Sequence, residues 1–223
     1  MFLFRDRGDA GRRLASALRE EVGPNVVVLG LARGGVPVAY EVARRLRAPL
    51  DVLVVRKLGV PGHEELAMGA IGPGGSLVLN DEVIRRLRIP QTAVEAAAAR
   101  ERAEAERRER TYRRGQPPED VRGRHAIVVD DGLATGASMR AAIASLRTLG
   151  AARITVAVPT GSAESCDELR RDADEVLCLT ASESLFAVGQ SYDDFSPTTD
   201  DEVRDYLARA TRQRLAARPS APR

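Results

Sequence analysis

Short apolar runs recur along the chain at Asn25–Leu29, Asp51–Val55, Ala126–Val129, Ile154–Val158 and Glu175–Leu179. Runs this short and this uniformly apolar suit strands covered on both faces. Helical stretches lie around and between them. Asp9–Glu21 carries Leu14, Ala17 and Leu18 on one face, and Val36–Arg47 stops ahead of Pro49. Ala137–Leu149 and Ala163–Arg171 separate the last three runs. Strand and helix alternating at this spacing predict an α/β fold. The expected architecture is a doubly wound, mainly parallel five-stranded sheet with right-handed crossovers.

The stretch between the second and third runs breaks this rhythm. Leu66–Ile71 and Ser76–Leu79 flank Gly72-Pro-Gly-Gly75, a hairpin-turn signature. Asp81–Arg88 predicts a short helix ended by Pro90. Thr92 and Glu95 have capping-box spacing, which predicts a helix from about Ala93 to Arg113. Glu104–Arg108 and Glu106–Arg110, at i,i+4, suit a solvated helix face. Thr199 and Glu202 repeat the capping-box spacing ahead of a last helix to about Arg214, and Ala217–Arg223 reads as a frayed tail. One domain is expected over 1–223. Its core takes about 1–58 and 120–180, and a hood or flap insertion takes about 59–119 and 181–200.

Composition narrows the function classes. Hydrophobic residues make up 43% and charged residues 30%, which is ordinary for a globular chain. No apolar run approaches the roughly 20 residues of a spanning helix. The start turns charged at Arg5 and Asp6, which argues against a secretory signal and for a cytoplasmic protein. A net charge of +2 argues against nucleic acid. Cys166 and Cys178 lack metal-ligand spacing and read as reduced, packed thiols. Lys57 is the one Lys among 34 basic residues, so its position has use for a compact ammonium rather than a guanidinium fork.

The chemistry concentrates in Ala126–Ser138. An apolar strand delivers Asp130 and Asp131 at its carboxyl end. A short link then supplies Thr135, Gly136, Ala137 and Ser138 as a helix begins. Ligands of open α/β sheets bind at this edge. Free amides and the helix dipole make such a turn an anion site. Two carboxylates beside a phosphate need another target, and ribose hydroxyls or hydrated Mg²⁺ provide one. A sugar phosphate therefore explains the spacing better than a bare phosphate.

With these residues the chain resembles the type I phosphoribosyltransferases, whose fingerprint is an apolar strand, two acids, a link and a Thr-Gly-x-Thr/Ser loop. The likeness covers about residues 2 to 208. It extends through Phe4-Arg-Asp-Arg7, Leu31–Pro37, Arg56–Gly62, Glu65–Gly72 and Tyr192-Asp-Asp-Phe195. It departs at Gly132, where the family usually has a bulkier apolar residue. The resemblance implies phosphoribosyl pyrophosphate as cosubstrate, with Mg²⁺ carried by it rather than held directly by the protein. It implies displacement at the anomeric carbon. Asp130 and Asp131 would hold the ribose diol, and Thr135, Gly136, Ala137 and Ser138 the 5-phosphate. Arg33, Gly34, Gly35, Arg56 and Lys57 would receive pyrophosphate.

The acceptor is open. Ala134 stands where hypoxanthine–guanine enzymes usually carry an acid. Tyr192 and Phe195 either stack on the acceptor or pack the hood, and Asp193 or Asp194 is placed to read a ring N–H. His63 is a candidate for pyrophosphate or acceptor contact, and His125 reads as structural. The expected partners are small molecules, without nucleic acid or membrane, and a homo-oligomer is left open. Two alternatives stand beside the enzyme. One is a non-catalytic regulatory module that binds phosphoribosyl pyrophosphate or a nucleotide. The other is a generic α/β phosphate-binding domain, which would not need two acids before the loop.

Overall fold

A computed structural model describes residues 3–18, 25–183 and 185–216, without the side chains of Glu64 and Glu65. The end of the first expected helix, at 19–21, and the expected tail at 217–223 lie outside the described residues.

Five parallel strands form the main sheet: β1 (Val26–Leu31), β2 (Leu50–Leu53), β6 (His125–Val129), β7 (Arg153–Ser162) and β8 (Glu175–Ser182). Their order is β2-β1-β6-β7-β8. Every residue of β1 is buried because both faces are covered. Val26 and Val28 face one core, with α1 (Arg7–Ala17), α2 (Gly35–Leu46) and α7 (Asp200–Ala216). Val27, Leu29 and Leu31 face the other, with α5 (Ala137–Thr148) and α6 (Ala163–Leu169). The strand period of two thus sorts one apolar run into two cores. His125 spans a layer: its Nε2 lies 2.8 Å from Thr155 Oγ1, and burial pushes its imidazole below the usual range.

The insertion differs from expectation at its start. Arg56 and Lys57 follow β2 closely but belong to a further strand. They open β3 (Arg56–Val60), which pairs antiparallel with β4 (His63–Ile71), itself paired with β5 (Leu77–Leu79). The polar Arg-Lys pair and Gly59 hide β3 from an apolar-run reading, since this strand is only partly buried. The 72–75 turn forms as expected, with Gly74 and Gly75 at positive φ. It docks on α5, where Ser76 Oγ meets Ser145 Oγ at 2.6 Å.

The insertion continues through α3 (Asp81–Arg86) and α4 (Gln91–Arg113). The Thr92–Glu95 capping box does not form. Pro90 caps α4 with extended backbone and no side-chain bond, so the helix begins earlier, and Gln91 bonds Glu95 instead. Proline's fixed φ supplies the entry geometry without a capping hydroxyl. Glu104–Arg108 forms, at 2.7 Å. The Thr199–Glu202 box also forms: Thr199 N donates to Glu202 Oε2 (2.7 Å), and Glu202 N donates to Thr199 Oγ1 (3.2 Å). Both cysteine thiols are free, and Cys166 is buried. Among the described residues no helix is long and apolar enough to cross a membrane.

Candidate functional site

The carboxyl ends of β1, β6 and β8 bring three loops together. The loop after β6 enters α5 through Gly136, which takes the left-handed conformation at φ 67°. No side chain caps α5, and first-turn amides have no intrahelical partner. The carbonyls of this loop are held instead. Leu133 O accepts from Ser162 N, and Ala134 O accepts from Ser165 Oγ (2.6 Å) and Ser162 Oγ (3.2 Å). Thr135 O accepts from Arg140 (3.0 Å). Acceptors engaged and donors free is the arrangement an anion needs. Thr135, Ala137 and Ser138 are exposed.

The twin acids are not equivalent. Asp130 Oδ1 accepts the Asp131 amide at 2.9 Å. Burial, then the charge of Asp131, holds Asp130 well above the usual carboxylate range. Asp131 is also pushed up by burial, but Arg7 pulls against it: Arg7 Nε lies 2.8 Å from Asp131 Oδ2. Arg7 closes the Phe4-Arg-Asp-Arg7 segment, whose chemistry the sequence alone does not assign. A cation in the first turn of α1 opposes the helix dipole, and that is the sequence signal for a tertiary partner.

The 32–34 turn after β1 lies against the acids. A Cβ on Gly34 would stand 2.0 Å from Asp131 Oδ2, and one on Gly35 2.5 Å from Val129 O. Both glycines are thus required by contact between the two loops. Arg33, preceded by a cis peptide, is half-exposed, and its Nη1 lies 3.7 Å from Asp200 Oδ1 of α7.

Lys57 lies beside the start of α5. It lines a cavity of about 400 Å³ with Asp81 and with Ala137, Ser138 and Arg140 of α5. The structure thus brings it to the helix that follows the twin acids. Arg56 is engaged within the insertion: its Nε and Nη2 hold Glu101 Oε2 of α4 at 3.0 and 2.8 Å. Its geometry comes from an ion pair that no spacing announces.

Of the two readings of Tyr192, the structure bears out packing rather than stacking. Tyr192 is 1% exposed, and its hydroxyl donates to Asp131 O at 2.6 Å, so its ring has no face for an acceptor. Its ring packs between Phe4 and Phe195, and the Phe195 ring lies under the Arg7 guanidinium at 4.0 Å. Asp193 is exposed, with its amide bonded to Phe4 O. Asp194 caps Ser196 through its amide (2.9 Å) and hydroxyl (2.6 Å). His63 is exposed at the start of β4.

Gly132 has a structural cause. A Cβ there would lie 2.3 Å from Val188 Cγ1, so Val188 fills the space that a larger residue would take. Gly132→Ala is expected to cost about 1–3 kcal/mol by over-packing. Adding Val188→Ala should restore at least half of that loss in thermal unfolding, and a purely additive double variant would refute the contact.

A doubly wound parallel sheet whose carboxyl edge carries a twin-acid strand end and an uncapped, glycine-bearing helix start defines the class: an α/β protein with its candidate site at that edge. A sequence model of the phosphoribosyl transferase domain matches residues 5–71 and 73–194, and the chain belongs to that family. The crystal structure of TT1426 from Thermus thermophilus is 46% identical, covers 92% of this chain and 98% of that one, and superposes with a TM-score of 0.82. Mycobacterium tuberculosis Rv0571c, whose name assigns it provisionally to the phosphoribosyl transferases, is 51% identical over 212 residues. That match takes in 95% of this chain and 48% of the relative, so the chain spans about half the relative's length.

Proposed function

We propose that the chain transfers the 5-phosphoribosyl group from phosphoribosyl pyrophosphate to a planar, nucleobase-like acceptor, releasing pyrophosphate. The observation that carries this reading is the twin-acid strand end beside an uncapped, glycine-bearing helix start. Thr135–Ser138 receive the 5-phosphate through amides and hydroxyls. Asp130 and Asp131 each keep an oxygen for the ribose diol, and the Asp131 carboxylate favours cationic character at the anomeric carbon. Arg33 and the Gly34–Gly35 turn face the departing pyrophosphate, and Lys57 guards the 5-phosphate side. The protein's own oxygen donors here are two carboxylates, one engaged by Arg7, so most ligands of a magnesium ion would come from the cosubstrate's diphosphate. When bound, Mg²⁺ neutralises charge on that leaving group.

The acceptor platform moves from Tyr192 to Phe186. Phe186 is 86% exposed on the loop after β8, two residues before the Val188 that touches Gly132. A free aromatic face at the carboxyl edge suits a stacked heterocycle. The test is pyrophosphate release from phosphoribosyl pyrophosphate and Mg²⁺ against purine, pyrimidine and small heterocyclic acceptors. At least one acceptor should support turnover. Phe186→Ala should raise its KM about ten-fold, roughly the 1–3 kcal/mol of a base–aromatic stack, with kcat little changed. Cosubstrate binding without release across the panel would turn the reading toward the regulatory module.

A further inference from the structure

Arg7 sits where the first helix, the twin acids and the segment around residues 192–196 converge. Its Nε bonds Asp131 Oδ2 at 2.8 Å and its Nη1 bonds Ser196 O at 2.7 Å. Its guanidinium covers the Phe195 ring at 4.0 Å. Both members of the Arg7–Asp131 pair are nearly buried, at 11% and 14% side-chain exposure. A Cβ on Gly34 would lie 3.3 Å from Arg7 Nε, so the turn after β1 closes over the same point. Three directions of contact leave the guanidinium one orientation.

We infer that Arg7 is a positioning residue of the phosphoribosyl site: it keeps Asp131 ionised and aimed, and so sets the charge that the twin acids present to a ribose diol. This rests on the proposed phosphoribosyl reading. The reasoning is electrostatic. Two adjacent, largely buried carboxylates do not both ionise readily. Arg7 compensates one of them, so the pair presents one compensated carboxylate, on Asp131, beside Asp130, which retains its proton more readily. The Tyr192 hydroxyl bonds Asp131's own carbonyl and holds the backbone beneath the carboxylate.

The charged neighbours agree with this division. Asp130 faces Asp131 from the same loop and disfavours a second negative charge, while the Tyr192 hydroxyl, from the 192–196 segment, bonds the Asp131 carbonyl and not its carboxylate. Among the described residues of α1, the cation that pairs with Asp131 is Arg7. Asp194 and Glu202 feel the Arg7 charge, but each is engaged in its own cap, with Ser196 and Thr199. Arg33, on the turn that carries Gly34, pairs with Asp200. Among these groups, Arg7 is the cation in contact with an acid of the pair.

The test uses the full chain and two readouts. The first is the carboxyl titration of Asp131, followed by carbon NMR in unliganded protein. Arg7→Gln should raise the midpoint by about one pH unit or more, the effect of removing an opposite charge at contact. Arg7→Lys, which keeps the charge, should restore most of the shift. The second is calorimetric binding of phosphoribosyl pyrophosphate with Mg²⁺ across pH. Arg7→Gln should weaken binding at least ten-fold at neutral pH and move its rise to higher pH. Arg7→Lys should keep the pH profile but bind a few-fold more weakly, having lost the fork that reaches Ser196 as well. An Asp131 midpoint unmoved in Arg7→Gln overturns the inference. Should that variant not fold, an Arg7→Lys protein whose Asp131 midpoint rises by a full unit although the charge is kept does the same. If wild-type protein fails to bind the cosubstrate, the phosphoribosyl reading falls, and the NMR titration still decides what Arg7 does to Asp131.

Discussion

Asp130→Asn is expected to weaken binding of phosphoribosyl pyrophosphate with Mg²⁺ ten- to hundred-fold while leaving the fold at least as stable at neutral pH. The affinity loss corresponds to about 1.5–3 kcal/mol for one hydrogen bond to a charged group. The stability half of the prediction follows from linkage. Burial holds the Asp130 pKa well above the usual carboxylate range in the folded state. Between the ordinary value and the raised one, the folded chain therefore binds the extra proton. Stability contributed by this group is complete below the ordinary carboxyl range and is lost as pH rises through the raised value. An amide cannot ionise, so Asp130→Asn should flatten that loss. Asp131→Asn behaves differently. It strands the nearly buried Arg7, and removing one member of such a pair costs several kcal/mol where burial is complete, somewhat less here. The single Asp130 variant is thus cleaner than a double one. Calorimetry and pH-dependent thermal unfolding read both effects, and unchanged affinity would remove the ribose site from these acids.

Gly35→Ala is expected to lower stability by about 2 kcal/mol net, against the direction that helix propensity alone predicts. Gly35 is the first residue of α2, and Ala is favoured over Gly in helices by about 1 kcal/mol. The new Cβ would lie 2.5 Å from Val129 O and 2.8 Å from Asp130 Cα. These are backbone atoms of a buried strand end and cannot rotate away. Over-packing of this kind costs about 3 kcal/mol at its upper range, so sterics win. For a chain of this size the melting temperature should fall by roughly 4–8 °C. Gly62→Ala makes the control: its Cβ would meet nothing within 4 Å, and its φ of 78° leaves only backbone strain. A Gly35→Ala protein that melts with wild type would show that the turn after β1 does not rest on the twin-acid strand.

Much of the architecture was legible because it depends on local rules. The five strands announced themselves as apolar runs, and the observed sheet joins them in parallel, with β8 only partly buried at its edge. The phosphate-type turn was legible too, since strand, acids, glycine and helix follow one another in the chain. Two identical-looking capping boxes show the limit. Thr199–Glu202 forms, while Thr92–Glu95 does not, because Pro90 sets the helix start two residues earlier. Strand β3 was missed because half-buried antiparallel strands tolerate Arg, Lys and Gly.

The candidate site divides along the same line. Which residues carry acids, hydroxyls and open backbone was decided by the chain's order alone, since those groups are neighbours in sequence and their chemistry is intrinsic. Which groups neutralise, cover and aim them was decided by tertiary structure. Arg7 meets Asp131 across 124 positions, Tyr192 reaches the same residue across 61, Val188 occupies the space above Gly132, and Arg56 is drawn off to Glu101. Charge and packing act through space, so partners this far apart along the chain leave no periodic trace in it.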